Sequence, residues 1–237
     1  MSASPMQIDP AASDPAVAAS DESNGRGAGP RTLREALAEF VRHGSPRILA
    51  ACLAGAAAAR LFVAQWSLWD LAPLAGLLLY WPLQEWLIHV FVLHAKPKRL
   101  LGRTLDFRVP RKHRAHHQQP WRLDLLFIPM HSFLYSIPIL VGVWWLVTPS
   151  LPLALTGITA HFALALHYEW VHFLVHTRVQ PRTAVYRRLW KNHRWHHFKN
   201  EHYWFGVTML GGDRLLGTAP DLAAVPTSPT ARTLASG

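Results

Sequence analysis

Cysteine is almost missing from this sequence: Cys52 stands alone. A lone thiol excludes an intramolecular disulfide, and it excludes metal sites built from cysteine, structural zinc fingers included. Charge is missing over two long stretches. Residues 125–147, LLFIPMHSFLYSIPILVGVWWLV, hold no Asp, Glu, Lys or Arg, and neither do residues 151–168, LPLALTGITAHFALALHY. A helix of about 20 apolar residues crosses the hydrocarbon core of a bilayer, and charge-free runs of this length are uncommon in soluble proteins. The competing reading is a soluble helical bundle with buried helices. The first 30 residues lack an apolar core, which excludes a secretory signal peptide. They are rich in Ala, Ser, Asp, Pro and Gly and read as a disordered tail. Residues 220–237, PDLAAVPTSPTARTLASG, read the same way, leaving residues 31–219 as one folded domain.

Acids are scarce as well, 14 against 24 bases, for a net charge of +10. A basic chain suits nucleic acid or an anionic membrane surface. No segment resembles a nucleic-acid fold, and the bases flank the apolar runs, so no nucleic-acid partner is expected. Two weaker apolar segments precede the charge-free ones: residues 48–69, interrupted by Arg60, and residues 71–94, interrupted by Glu85. The expected fold is therefore all-α and integral to the membrane. Four transmembrane helices, at about 48–69, 71–94, 125–147 and 151–176, form two hairpins, with Thr148, Pro149 and Ser150 as a tight turn. Between the second and third helices lie Lys96, Lys98, Arg99, Arg103, Arg108, Arg111, Lys112 and Arg114, against the single acid Asp106. After the fourth come Arg178, Arg182, Arg187, Arg188, Lys191 and Arg194. The positive-inside bias puts these stretches, and both termini, in the cytoplasm. They would form a helical cap under the bundle.

Histidine is what the chain has in excess. Fourteen of its fifteen histidines lie between residues 89 and 202. The pattern His-x-x-His-His occurs twice, as His113, His116 and His117 and as His193, His196 and His197. Two pairs accompany it: His89 with His94, and His172 with His176. Neutral imidazole is the commonest metal ligand, and topology alone gathers these ten side chains at one membrane interface. On a helix, residues i and i+4 share a face, while i+3 lies about 100° away from i+4. His193 and His197 can thus face one metal while His196 faces a neighbour, and His113 and His117 can do the same against His116. In the last helix Val185, Leu189, His193 and His197 form one column, with Arg187, Lys191 and Arg194 elsewhere. An all-nitrogen site suits Zn, Cu, Fe or Ni.

These motifs, with HHFKN, FGVT (205–208) and GDRLLGT (212–218), resemble the fatty acid hydroxylase/sterol desaturase superfamily of membrane di-metal oxygenases over about residues 80–218. The last part is most similar to the fatty acid and sphingolipid 2-hydroxylase branch, which also has the His-x4-His first box. The resemblance implies an O2-dependent, di-iron enzyme that hydroxylates an unactivated C–H bond of a lipid, a fatty acyl chain or sphingolipid first. It implies that His89, His94, His113, His117 and His196 surround one metal, and that His116, His172, His176, His193 and His197 surround the other. Many members carry a fused cytochrome b-type domain. The N-terminal tail here is too short and polar for one, so a separate carrier is expected, either a cytochrome b-type protein or a ferredoxin with its reductase. Zinc has no redox chemistry, yet it binds nitrogen sites more tightly than ferrous iron, so a purified sample could hold zinc. The membrane would be the inner one in a bacterium, or the endoplasmic reticulum in a eukaryote.

Other readings stay open. Within the superfamily the substrate could be a sterol, carotenoid or ether lipid, and the outcome a desaturation. Outside it, a histidine-rich metal-binding or transport protein is the alternative, although a transporter places its ligands near the bilayer midplane. Glu85 and Glu169 either accept a ligand's second N–H or pair with an arginine. His131, His161 and His167 line a substrate cavity or make interhelical hydrogen bonds. His202 reads as surface or packing. Tyr203 and Trp204 are packing residues or contacts on the substrate's path inward.

Overall fold

The structure, a computed structural model, describes residues 29–234. The tail read over residues 1–28, and residues 235–237, lie outside the described residues. Helix α1 (Leu33–Phe40) opens on a capping box, in which Thr32 accepts from the Glu35 backbone and Glu35 reaches back to the Thr32 N–H. It is followed by α2 (Gly44–Val63) and α3 (Leu71–Leu87), which continues as a π-helical turn over Ile88–Leu93. A short hairpin, β1 (Lys98–Leu100) and β2 (Arg103–Leu105), leads into α4 (Arg108–Gln118). Then come α5 (Phe133–Val147), α6 (Leu151–Val175), α7 (Ala184–Phe198) and the one-turn α8 (Gly211–Leu215).

The fold is the expected one in class. Four stretches, helical over most of their length, are long and apolar enough to cross a membrane: residues 44–63, 68–93, 123–147 and 151–175. The β1–β2 hairpin is the sole sheet among the described residues, antiparallel with Arg99 opposite Thr104. Leu101 and Gly102, both at positive φ, make its tight turn. Helix α6 is the centre of the bundle and packs on α2, α3 and α5. Its side chains Ile158 and Phe162 meet Leu49 of α2 and Phe133 of α5 in one apolar cluster.

Boundaries move where hydropathy alone is blind. Helix α2 starts four residues earlier than expected and ends at Val63, because Ala64 and Gln65 turn to positive φ. There Arg60, the interruption in the first apolar run, is buried rather than exposed. It pairs with Asp70 at 2.7 Å and donates to Thr156 of α6 at 2.8 Å. The stretch expected as the third helix is helical only from Phe133, after short 3₁₀ turns at Leu123–Leu125 and Met130–Ser132. Pro129 between those turns has no N–H to give a helix.

The larger departure is at the C-terminus. Residues 220–234, expected as part of a disordered tail, are packed: Val225, Ala231 and Leu234 are buried. Composition misled here. Pro, Ser and Thr dominate the segment, but its backbone and side chains are tied to the turn after α7, with the Ser228 N–H on the Lys199 carbonyl at 2.8 Å.

Candidate metal centre

Four elements bring the ten histidines into one buried layer. The π turn that ends α3 carries His89 and His94, α4 carries His113, His116 and His117, the end of α6 carries His172 and His176, and α7 carries His193, His196 and His197. They fall into two groups of five. His89, His94, His113, His117 and His196 form the first; His116, His172, His176, His193 and His197 form the second. Within each group one nitrogen from every ring lies within 4.8 Å of all the others. No thiol or carboxylate belongs to either group among the described residues. Helices α4 and α7 cross-brace the pair: each gives its i and i+4 histidines to one group and its i+3 histidine to the other. The two groups touch where His117 stacks on His197, with ring centroids 4.0 Å apart.

The π turn explains the spacing of the first box. On an α-helix, residues five apart point in different directions. Here the His94 N–H bonds the His89 carbonyl at 3.0 Å, an i→i+5 link, and the two ring centroids come to 5.0 Å. A π turn inserted in an α-helix is a frequent mark of a functional site.

Several outer nitrogens are fixed by main-chain carbonyls. Nδ1 of His89 donates to Phe205 at 2.7 Å, that of His196 to Tyr203 at 2.8 Å, that of His117 to Ala231 at 2.8 Å and that of His172 to Leu126 at 3.2 Å. A carbonyl only accepts, so in these rings the proton is on Nδ1 and Nε2 offers a lone pair inward. The inward atoms then face one another. Nε2 of His94 and His196 are 3.2 Å apart, and Nε2 of His193 lies 3.1 Å from those of both His176 and His197. Two imidazoles bound about 2.1 Å from one ion place their nitrogens roughly 3.0–3.4 Å apart. Nε2 of His89, His113, His116 and His117 is buried with no hydrogen-bond partner among the described residues. This donor set fits a metal ion in each group.

Burial, followed by crowding among the imidazoles, lowers the pKa of His94, His113, His116, His193, His196 and His197. Burial brings that of His117 down to about 3. At neutral pH these rings are uncharged, the state in which they ligate metals.

A further set of residues escaped the sequence reading. Asn192 and Asp213 are buried beside the loop after α7. Asp213 accepts from the Phe205 N–H at 2.9 Å and the Gly206 N–H at 2.7 Å, and Asn192 donates to the Gly206 carbonyl at 2.8 Å. They hold the loop whose carbonyls hold His89 and His196. Helix α8, which supplies Asp213, lies so close to α3 that a Cβ on Gly212 would collide with the Pro82 carbonyl. Glu85 grips the same loop from α3, accepting from the N–H groups of Val207, Thr208 and Met209 at 3.1, 3.1 and 3.3 Å. Glu85 therefore neither touches a histidine nor pairs with an arginine. Glu169 is held elsewhere too: its Oε1 accepts from the Ser45 hydroxyl at 2.5 Å and from the Ile128 N–H at 2.8 Å. In His89, His117, His172 and His196 a main-chain carbonyl, rather than either carboxylate, takes the outer N–H.

A cavity of about 380 Å³ opens against this layer. His113, His116, His172 and Lys112 form one end. Leu49, Ile137, Leu140, Phe162 and Ala165 line it within the membrane helices. Lys112, whose Nζ donates to the Phe127 carbonyl at 2.7 Å, is the one Lys or Arg in its wall. His161 lines it too, 3.2 Å from Gln84, so it both faces the cavity and bonds between helices. His167 and His202 are exposed, His131 is outside the cavity wall, and Trp204 is buried against Trp195. Val185, expected in the metal-facing column of α7, is exposed, and the column starts at Leu189.

Comparison with known proteins follows the same lines. The family model for fatty acid hydroxylase matches residues 74–218. Two dihydroceramide fatty acyl 2-hydroxylases of Arabidopsis thaliana are similar. FAH2 is 29% identical over 148 residues, 62% of this chain and 60% of that protein. FAH1 is 31% identical over 145 residues, 61% of this chain and 59% of that protein. The matched stretch thus spans about three fifths of the length of these relatives. Among solved structures, full-length Scs7p, in which only the hydroxylase domain is visible, is similar in fold. It has a TM-score of 0.59 and 21% identity, covering 77% of this chain and 66% of that one.

Proposed function

The chain belongs to the fatty acid hydroxylase family, in its 2-hydroxylase branch, and on that premise we propose that it inserts one oxygen atom of O2 into an unactivated C–H bond of a lipid acyl chain, on a fatty acid or sphingolipid. The observation that carries this reading is the apolar cavity ending on histidines of both five-membered groups.

In this reading the ten histidines are the ligands of two ions, iron in the working enzyme. Bound there, a pair of redox-active ions would relay electrons to O2 and offer it open coordination positions. The protein's own part is binding and placement. Leu49, Ile137, Leu140 and Phe162 take the acyl chain out of the bilayer and exclude water. His113, His116 and His172 form the end wall where the reacting carbon stops. Lys112 offers its remaining N–H groups to the oxygen-bearing head of the substrate. Burial keeps the imidazoles neutral. Hydroxylation also consumes two electrons and two protons and releases one water. A separate electron carrier supplies the electrons, and it docks on the basic cap, which faces the cytoplasm. The catalytic unit comprises residues 31–234, because residues 220–234 close over the histidine layer.

The test is direct. Purified protein loaded with Fe(II) is given a reductant chain, ¹⁸O2 and acyl lipids. The expected product is one labelled oxygen heavier than its substrate. A new double bond would establish desaturation instead, and oxygen drawn from water would end the proposal. Sterol, carotenoid and ether-lipid substrates run in parallel decide the lipid class.

A further inference from the structure

Residues 220–234 lie beyond the stretch that matches the family, which ends at residue 218. They return over the histidine layer and are stapled there. The Ser228 N–H meets the Lys199 carbonyl at 2.8 Å, the Asn200 side chain donates to the Pro226 carbonyl at 3.2 Å, and the Thr230 hydroxyl donates to Glu201 at 2.5 Å. Arg232 donates to the Gln118 carbonyl at 3.3 Å, and its guanidinium lies 5.8 Å from the centre of the Phe198 ring. These staples set the buried Ala231 carbonyl 2.8 Å from Nδ1 of His117.

We propose that residues 220–234 are a positioning strap for one of the two metal sites, acting through the hydrogen bond between Ala231 and His117. The inference rests on the reading of the histidines as metal ligands. Its content is an asymmetry. The carbonyls that hold the first group belong to Tyr203, Phe205 and Ala231, all in the C-terminal quarter of the chain. The carbonyl that holds His172 of the second group belongs to Leu126, before α5. The strap fixes the tautomer of His117 and the direction of its ring, and so prepares the first group alone. Partners of this kind change metal affinity by about 10- to 100-fold.

The experiment compares Zn(II) binding by the full chain in detergent with binding by a chain ending at Thr227. A second variant, Thr230→Val with Arg232→Ala, loosens the staples without shortening the protein. It carries the same comparison if the shortened chain does not survive extraction. Both are repeated in a His117→Ala background. The expected result is two ions in the full chain. In the strap variants one ion is held as before and the other about 10- to 100-fold more weakly. In the His117→Ala background, removing the strap adds no further loss. Equal weakening of both ions, no weakening, or a further loss without His117 overturns the strap's role. Fewer than two ions in the full chain overturns the metal reading itself, so the two failures are distinct.

Discussion

Nε2 of His94 and Nε2 of His196 lie 3.2 Å apart across 102 residues of sequence. His196 has its proton on Nδ1, bonded to the Tyr203 carbonyl, so a lone pair faces His94. With the His94 proton on Nδ1, both lone pairs point at the space between the two atoms, and a cation there satisfies both. Replacing His196 by alanine is therefore expected to remove one ion of two and abolish oxygenation, with the protein still inserted, because the apolar helices are untouched. His202→Ala is the control. His202 is exposed and outside both groups. The check is product and metal content in the same membranes. Unchanged product from His196→Ala, or a comparable loss from His202→Ala, would defeat the assignment.

That pairing shows what the sequence could and could not convey. The two His-x-x-His-His runs, read on a helical wheel, already divide their members between two faces, whereas the composition of each five-histidine set came only from the resemblance. The charge-free runs fixed the second hairpin, because nothing soluble needs them. The π turn at Ile88–Leu93 was illegible, since no residue type signals an i→i+5 register. The acceptors of the ligands' second N–H were equally hidden. They are carbonyls of Tyr203, Phe205, Leu126 and Ala231, and a carbonyl has no identity in a sequence. The packed segment 220–234 was lost for a different reason: composition reports average hydrophobicity, and here three main-chain links, at Pro226, Ser228 and Ala231, and a few buried side chains decide.

Removing the metals should soften the protein measurably. Without ions, buried Nε2 atoms of His89, His113, His116 and His117 have no hydrogen-bond partner among the described residues. An ion present at about 100 times its dissociation constant adds about 2.7 kcal/mol, which for a chain of this size is about 5–10 °C in melting temperature. Thermal unfolding in detergent, before and after chelation, gives the answer. A midpoint that chelation leaves unmoved would argue against ions in these groups.

The metal-free protein should also lose stability in acid. Burial holds the His117 pKa at about 3, against about 6.5 in an unfolded chain. Between those values the unfolded chain binds a proton that the folded one refuses, so stability falls as pH drops from about 6.5 toward about 3. His113, His116, His193, His196 and His197 add in the same direction, since burial lowers each of them. Melting temperatures of chelated protein across that range should decline steadily. A flat profile would contradict the burial of these rings.

Lys112 is expected to act on substrate binding. Its ammonium has three N–H groups, one of them on the Phe127 carbonyl, and it sits at the histidine end of the cavity. A hydrogen bond from a charged donor contributes about 1.5–3 kcal/mol, so Lys112→Met should raise KM about tenfold or more while kcat changes little. Lys112→Arg should recover part of the loss. Steady-state kinetics with acyl substrates bearing carboxylate and amide heads separates the cases. A fall in kcat with constant KM would show that Lys112 does not hold the head group.

Glu85 offers the sharpest test of how the loop after α7 serves the histidines. Its carboxylate accepts from three consecutive backbone N–H groups, those of Val207, Thr208 and Met209, and from the Trp81 indole at 2.6 Å. The same loop presents the Tyr203 and Phe205 carbonyls to His196 and His89, both of the first group. Glu85→Ala leaves several buried donors unpaired at about 1–3 kcal/mol each, a large part of a typical domain's 5–15 kcal/mol. The loop should loosen before the bundle does, because the apolar helices pack without it. The first group then loses its ion, while the second, whose His172 is held by Leu126, keeps its own. Glu85→Gln retains one acceptor oxygen but turns an NH2 toward the remaining donors, so its effect should be intermediate. Metal content and melting temperature measured on both variants decide the matter. Two retained ions and an unchanged midpoint in Glu85→Ala would mean that the loop stands without the carboxylate.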